Sequence, residues 1–117
     1  MKMFLEEYRN THTIEERKQE CDKIRKKYPN RIPVIINAVT ITIDKHKYLV
    51  PTECTLLEFS MILKRRIKCA PSEGLFYYLG DSQTLPRMTD TVSQLYHRYK
   101  SEDGYLVITV CKENTFG

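Results

Sequence analysis

A length of 117 residues suits a single domain and excludes two cores of ordinary size. Hydrophobic residues make up 41% of the chain and charged residues 29%, which excludes the apolar-poor composition of disordered proteins. The net charge of +4 comes mainly from two basic clusters, 23–31 and 64–68, and suits acidic partners, although each cluster alone is more simply a solvated helix face.

The apolar runs are far shorter than the roughly 20 residues that cross a bilayer. Glu6 and Glu7 stand where a signal peptide would carry its apolar stretch. We therefore expect no membrane-spanning segment and, by default, a cytoplasmic protein.

Residues 1–29 predict two helices that lie outside the rest of the fold. Apolar side chains recur at helical spacing from Phe4 to near Asn10, which indicates a short first helix. Thr13 and Glu16 form a capping box at the start of a second helix, which a proline ends. One face of this second helix is apolar and the other is charged, so it is expected to pack on another layer.

The next segment predicts a β-hairpin. Residues 31–36 are rich in β-branched side chains and form a first strand, with Pro33 at a position that need not donate a ladder hydrogen bond. Residues 40–43 alternate in polarity, 44–46 form a turn, and 47–50 resume extended structure. Together these residues are expected to pair with the first strand.

A third helix follows, because Thr55 and Glu58 form another capping box ahead of apolar residues at helical spacing up to Ile67. The remaining predicted elements are a strand at 75–79, a turn at Gly80 and Asp81, brief pairing at Leu85 and Pro86, a short helix at 91–99 and a last strand at 105–110.

Without the first two helices, this order is ββαββ, with one helix crossing a mixed sheet. The expected fold is α+β, a ubiquitin-like β-grasp with two additional N-terminal helices. Its expected parts are a helical extension at 1–29, a β-grasp core at 30–110 and a flexible C-terminal tail at 111–117, all within one domain, 1–117.

Nothing in the sequence indicates catalysis or metal binding. The four cysteines are too widely spaced for a zinc-binding pair and are expected to be structural; they are Cys21, Cys54, Cys69 and Cys111. The three histidines have no nucleophile motif near them. We expect no metal, no cofactor and no enzymatic activity.

Six stretches together resemble the autophagy-related ubiquitin-like modifiers, the family of GABARAP and microtubule-associated protein light chain three. They are 15–17 (Glu-Glu-Arg), 24–35 (Ile-Arg-Lys-Lys-Tyr-Pro-Asn-Arg-Ile-Pro-Val-Ile), 47–51 (Lys-Tyr-Leu-Val-Pro), 64–67 (Lys-Arg-Arg-Ile), 102–104 (Glu-Asp-Gly) and 115–117 (Thr-Phe-Gly). They occur in the family's order and cover nearly everything from His12 onward. The combination is specific to this family, whereas any single stretch would be weak evidence for it.

The chain also departs from that family. The loop between Ile36 and Asp44 is shorter than in GABARAP, and Cys54 stands where Leu or Val is usual. Thr13 replaces a frequent proline, and Val107 and Val110 replace common aromatic residues.

The resemblance implies that Gly117 is the site of lipid conjugation. An activating enzyme would take its carboxylate as a thioester, a conjugating enzyme would receive it, and the amine of phosphatidylethanolamine would form an amide on autophagosomal membranes. A cysteine protease processes or delipidates such proteins. The chain would thus be cytoplasmic, and on the autophagosome membrane when lipidated.

A second activity follows partly from the strand at 47–50, which is expected to form a sheet edge that accepts a peptide as an added strand. Because side chains alternate across a strand, Lys47 and Leu49 face one side of the sheet while Tyr48 and Val50 face the other. Two pockets are therefore expected, in agreement with the family's aromatic-x-x-aliphatic ligand motif in cargo receptors.

The resemblance assigns residues to both pockets. The aromatic pocket would comprise Glu20, Ile24, Pro33, Lys47, Leu49 and Tyr105. The aliphatic pocket would comprise Tyr48, Val50, Pro51, Cys54, Phe59, Ile62 and Arg66. Arg31 and Lys45, with Lys47, would attract acidic residues beside the motif. For Phe59 and Ile62 a place in the core is an equal alternative, whereas Tyr48 and Lys47 are expected not to be fully buried.

The alternative from another class is a small basic nucleic-acid-binding domain, supported by the two basic clusters. The aromatic residues are not interleaved with basic ones on a strand, as a stacking platform requires. The pI of about 8.9 is also just below the pI that is typical of such domains. We therefore expect no nucleic-acid partner. A ubiquitin-like domain that is never conjugated is a third possibility.

Overall fold

A computed structural model describes residues 3–67, 74–79 and 84–113 of the chain. These residues form four helices and four strands. In chain order they are α1 (Phe4–Thr11), α2 (Ile14–Lys27), β1 (Arg31–Ala38), β2 (Lys47–Pro51), α3 (Leu56–Arg66), β3 (Leu75–Leu79), α4 (Val92–Tyr99) and β4 (Leu106–Lys112). The predictions for the turn at Gly80, for Cys69 and for Gly117 lie outside the described residues.

The strands form one mixed sheet in the order β2-β1-β4-β3. The central pair, β1 and β4, is parallel, and both outer strands are antiparallel to their neighbours. This arrangement confirms the predicted ubiquitin-like β-grasp. The brief pairing expected at Leu85 and Pro86 occurs one residue earlier, where Thr84 bridges to Leu79.

Three helices begin with the same capping device. The backbone N–H of Glu16 donates to Thr13 Oγ1 at 3.1 Å, and the N–H of Thr13 donates back to the Glu16 carboxylate at 3.0 Å. Thr55 and Glu58 repeat this box at α3, as predicted. A third box, which the sequence reasoning missed, begins α4 at Thr91. Each box satisfies donors that the first turn of a helix leaves unpaired.

Helices cover both faces of the sheet. The larger buried cluster lies beneath α3 and α4, and its members include Leu56, Phe59, Leu63, Leu95 and Ile108. The smaller cluster lies beneath α1 and α2 and contains Tyr8, Cys21, Ile35, Tyr105 and Val107. The N-terminal helices therefore pack on one face and α3 on the other. The packing of α2 on the sheet agrees with the apolar stripe in its sequence. No helix within the described ranges is long and apolar enough to cross a bilayer.

The prediction of extended pairing at 40–43 is wrong. These residues form an irregular loop in which Thr40 has a φ of 61°, a conformation that β-branched residues rarely adopt. Thr40 Oγ1 accepts a hydrogen bond from the N–H of Lys112 at 3.2 Å, which ties the loop to the end of β4. Ile43 is buried in the larger cluster. The alternating pattern thus reflects a half-buried loop rather than a strand.

The described cysteines carry no disulfide. Cys21 is buried, whereas Cys54 and Cys111 are partly buried. Burial, followed by the nearby charge of Asp103, raises the pKa of Cys21 to about 12, so this thiol stays protonated at neutral pH.

The turn before β4 requires a glycine at position 104. Gly104 has a φ of 96°, and a Cβ added there would lie 3.0 Å from the Cβ of Cys21. Gly104→Ala is therefore expected to lower the free energy of unfolding by about 1–3 kcal/mol, measured by urea denaturation. Glu102→Ala, at an exposed position of the same turn, is the control and should change it by less than about 0.5 kcal/mol. Equal effects of the two substitutions would contradict this account.

Candidate peptide-binding site

The outer side of β2 presents backbone groups that no described strand uses. The N–H of Ile36 donates to the carbonyl of His46 at 2.7 Å, which marks these two residues as a hydrogen-bonded pair of the β1–β2 ladder. Hydrogen-bonded pairs alternate in antiparallel ladders, so the backbone groups of Lys47 and Leu49 point away from β1. The Leu49 carbonyl instead accepts a hydrogen bond from Arg31 Nη1 at 3.2 Å. This edge has the donors and acceptors that an added strand needs.

A cleft of about 370 Å³ lies beside this edge, on the face covered by α2. It is lined by Glu20, Ile24, Arg31, Pro33, Lys45, Lys47, Tyr48, Leu49 and Tyr105. The structure therefore brings together all six residues predicted for the aromatic pocket and both residues predicted to attract acidic flanks.

A hydrogen-bonded network centred on Glu20 forms one wall of the cleft. Lys47 Nζ donates to Glu20 Oε1 at 2.6 Å, and the Tyr105 hydroxyl donates to the same oxygen. The Tyr8 hydroxyl donates to Glu20 Oε2 at 3.1 Å. The Lys47 ammonium also lies 4.0 Å from the centroid of the Tyr8 ring, within cation–π range. Sequence reasoning placed three of these residues in the pocket but missed Tyr8, which contributes from α1.

The charges of this network are fixed at neutral pH. Burial alone would raise the pKa of Glu20, but the hydrogen bonds from Lys47 and Tyr105 outweigh it and hold that pKa below its ordinary value. Burial alone would lower the pKa of Lys47, but the hydrogen bond and charge of Glu20 raise it instead. Burial and the Glu20 hydrogen bond both raise the pKa of Tyr105. Glu20 is therefore an acceptor, and Lys47 and Tyr105 are donors.

The rim of the cleft is basic. Arg31 and Lys45 are exposed, and Lys47 is half-exposed although it pairs with Glu20. Three cations against one carboxylate give the rim a net positive charge. Such a rim attracts acidic peptides, and the attraction weakens as salt is added.

The predicted aliphatic pocket needs correction, because part of it is core. Val50 and Phe59 are 3% and 1% exposed and belong to the larger buried cluster. Tyr48, expected not to be fully buried, is only 8% exposed. Its ring packs edge-on against Phe59 at a centroid distance of 5.4 Å, and its face lies 5.1 Å from Lys45 Nζ. This packing against α3 removes the ring from solvent.

The other predicted members remain accessible on the α3 side of the β2 edge. Ile62 is 47% exposed, which excludes the alternative that it is simply core. Pro51 and Arg66 are exposed, and Cys54 is partly buried against the larger cluster. An aliphatic ligand side chain would thus meet a shallow surface around Ile62 and Pro51, floored by core residues.

Comparison with known proteins gives the family. Residues 16–117 match the family model described as "Autophagy protein Atg8 ubiquitin like". The chain belongs to the Atg8 family. Over 114 residues it is 41% identical to Autophagy-related protein 8 of Mycosarcoma maydis, covering 94% of this chain and 95% of that protein. The same figures hold for Autophagy-related protein 8 of Aspergillus niger.

Two solved structures resemble this Atg8-family chain closely. The structure of Trypanosoma brucei ATG8 superposes with a TM-score of 0.82 at 32% identity, covering 94% of this chain and 97% of that one. Plasmodium falciparum Atg8, solved in complex with a P. falciparum Atg3 peptide, gives a TM-score of 0.76 at 32% identity, with coverages of 89% and 94%. The resemblance deduced from sequence stretches is therefore confirmed, as is membership of an autophagy-related ubiquitin-like family.

A second, larger cleft of about 680 Å³ lies away from the β2 edge. It is bordered by α1, α2 and the turn before β4, and residues around it include Arg9, Arg17, Arg98 and Asp103. None of its lining residues was predicted as a site residue in this Atg8-family chain. It does not adjoin the outer edge of β2, so we assign the peptide site to the smaller cleft.

Proposed function

We propose that this chain is a ubiquitin-like modifier of autophagy that is conjugated through Gly117 to phosphatidylethanolamine and binds aromatic-x-x-aliphatic peptide motifs. The observation that carries the proposal is the outer edge of β2, which no described strand covers, beside the basic cleft at Glu20 and Lys47. A strand edge supplies main-chain hydrogen bonds, and the cleft supplies selectivity for a side chain.

The peptide would bind as an extra strand along β2. Its main chain would pair with the outward backbone groups of Lys47 and Leu49. Residues three apart in a strand point to opposite faces, so the aromatic side chain would enter the cleft while the aliphatic one rests near Ile62. Acidic residues beside the motif would lie near Arg31 and Lys45.

The lipid would supply the membrane attachment. Two acyl chains joined to the protein bind a bilayer stably. The partners are then the activating and conjugating enzymes, the cysteine protease that processes or delipidates the protein, phosphatidylethanolamine and motif-bearing cargo receptors. The Atg3 peptide in the Plasmodium relative supports a conjugating-enzyme partner. The protein would act in the cytoplasm and on autophagosome membranes, without catalysing a reaction or binding nucleic acid.

Leu49→Ala tests peptide binding, because Leu49 is 37% exposed and lines the cleft on the edge strand. The substitution removes apolar area that a bound ring would cover. It should therefore weaken binding of an aromatic-x-x-aliphatic peptide by about 1–2 kcal/mol, or roughly five- to thirtyfold. Isothermal titration calorimetry measures the effect.

The matched control is Leu57→Ala on α3, where the side chain is 51% exposed and does not line the cleft. It should leave peptide affinity unchanged, and both variants should melt within a few degrees of the wild-type protein. Tyr48→Ala is unsuitable because that ring is part of the core. Unchanged affinity in Leu49→Ala would refute binding at this edge.

A further inference from the structure

The acceptor that faces the cleft is already filled by the protein's own donors. A carboxylate oxygen has about two lone-pair sites. Glu20 Oε1 accepts from both Lys47 Nζ and the Tyr105 hydroxyl, so both of its sites are occupied.

The two oxygens of Glu20 differ in what surrounds them. Both donors to Oε1 come from residues that line the cleft, Lys47 and Tyr105. The donor to Oε2 is Tyr8, which is buried in the smaller cluster and does not line the cleft. The hydroxyl of Tyr105 therefore takes the place that a ligand donor would need, whereas the hydroxyl of Tyr8 does not.

We propose that Tyr105 determines which aromatic ring the cleft accepts, favouring a phenyl ring, which has no polar hydrogen, over an indole. This inference rests on the proposed peptide-binding function and specifies its ligand. An indole N–H that enters the cleft meets an acceptor without a free lone pair.

The alternative arrangement is no better for the indole. If the indole N–H displaced the Tyr105 hydroxyl from Glu20 Oε1, that hydroxyl would have to give up the carboxylate oxygen that it uses here, on a side chain that is only 1% exposed. In either arrangement one of the two donors goes without a hydrogen bond to Oε1, and the loss of a hydrogen bond to a charged group is costly. A phenyl ring avoids this cost because it leaves the network intact.

Three otherwise identical synthetic peptides test the proposal by titration calorimetry. Their aromatic residue is phenylalanine, tryptophan or benzothienylalanine, a ring of the same size as indole with sulfur in place of the N–H. In the wild-type protein, phenylalanine should bind more tightly than tryptophan, and tryptophan should gain nothing over benzothienylalanine. Tryptophan binding clearly more tightly than benzothienylalanine would overturn the proposal with the wild-type protein alone.

The Tyr105→Phe variant removes only the hydroxyl and frees one lone pair of Glu20 Oε1. The affinity ratio of tryptophan to benzothienylalanine should then rise roughly tenfold or more, as expected for one hydrogen bond to a charged group. Tyr8→Phe is the matched control, because it removes the same group from the other oxygen of Glu20. The ratio should stay unchanged in that variant.

The remaining outcomes are distinct. An unchanged ratio in Tyr105→Phe, which includes an equal gain for tryptophan and benzothienylalanine, would overturn the role of Tyr105 while leaving peptide binding intact. A failure of all three peptides to bind the wild-type protein would overturn the proposed function together with this inference.

Discussion

Deletion of Gly117 is expected to abolish conjugation to phosphatidylethanolamine while leaving the melting temperature unchanged. The proposed reaction consumes the carboxylate of this residue, and glycine has no Cβ to obstruct a narrow enzyme channel. After deletion, the terminal carboxylate would belong to Phe116, and the ring of Phe116 would obstruct its entry into the enzyme channel. The residues of both buried clusters lie between positions 3 and 113, so the deletion leaves all of them in place.

Reconstitution with purified activating and conjugating enzymes and phosphatidylethanolamine liposomes measures the effect. Intact mass should rise by one phospholipid in the wild-type protein and stay constant in the deletion variant. Glu113→Ala, which changes an exposed residue directly after β4 but keeps Gly117, should give the wild-type yield. Lipidated product from the deletion variant would refute conjugation through Gly117.

Local signals account for the parts of the fold that were predicted correctly. The boxes at Thr13 and Thr55 are formed by residues three apart, so the sequence alone locates the starts of α2 and α3. The alternation from Lys47 to Val50 also determines which side chains lie on each face of the sheet. These features depend on neighbours in the chain rather than on tertiary packing.

The misplaced features depend on packing between distant segments. The pattern at 40–43 gives the polarity of a strand, but a loop that buries Ile43 beside the sheet gives the same pattern. The burial of Tyr48 follows from the packing of its ring against Phe59 of α3, which residue type alone does not determine. Sequence analysis therefore found the edge strand but overestimated how much of its α3 side is open.

The candidate site, too, was predictable from the sequence only in part. Its edge strand could be derived from alternation, whereas the residues of the aromatic pocket came from family resemblance. The network at Glu20 joins Tyr8 of α1, Lys47 of β2 and Tyr105, the residue before β4. No short-range pattern links such distant residues, so only the folded arrangement reveals that the carboxylate is already engaged.

Among substitutions that break one of the described ion pairs, Asp103→Ala should cause the largest loss of stability. Arg17 Nε donates to Asp103 Oδ2 at 3.0 Å, and the side chains of Arg17 and Asp103 are 12% and 3% exposed. Asp103 Oδ1 accepts from Ser101 Oγ at 2.6 Å and from the N–H of Tyr105 at 3.0 Å. The carboxylate thus joins α2 to the turn before β4.

Asp103→Ala leaves a mostly buried guanidinium and two donors without this acceptor, so the free energy of unfolding at pH 7 should fall by about 3–5 kcal/mol. Asp44→Ala is the matched control, since its pair with Arg66 spans 3.8 Å between side chains that are 76% and 44% exposed. Its loss should cost less than about 1 kcal/mol. Urea denaturation measures both, and similar losses would contradict the role of burial.

The contribution of the Asp103 carboxylate should also be visible in the pH dependence of the wild-type protein's stability. Burial alone would raise the pKa of Asp103, but hydrogen bonds from Ser101 and Tyr105 and the charge of Arg17 hold it below its ordinary value. A lowered pKa adds stability above the unfolded pKa of about 3.9, and this stability is lost as the pH falls through the folded pKa. Stability should therefore fall less steeply below about pH 4 in Asp103→Ala than in wild type. Parallel pH profiles from urea denaturation would show that Asp103 does not stabilise the fold through its charge.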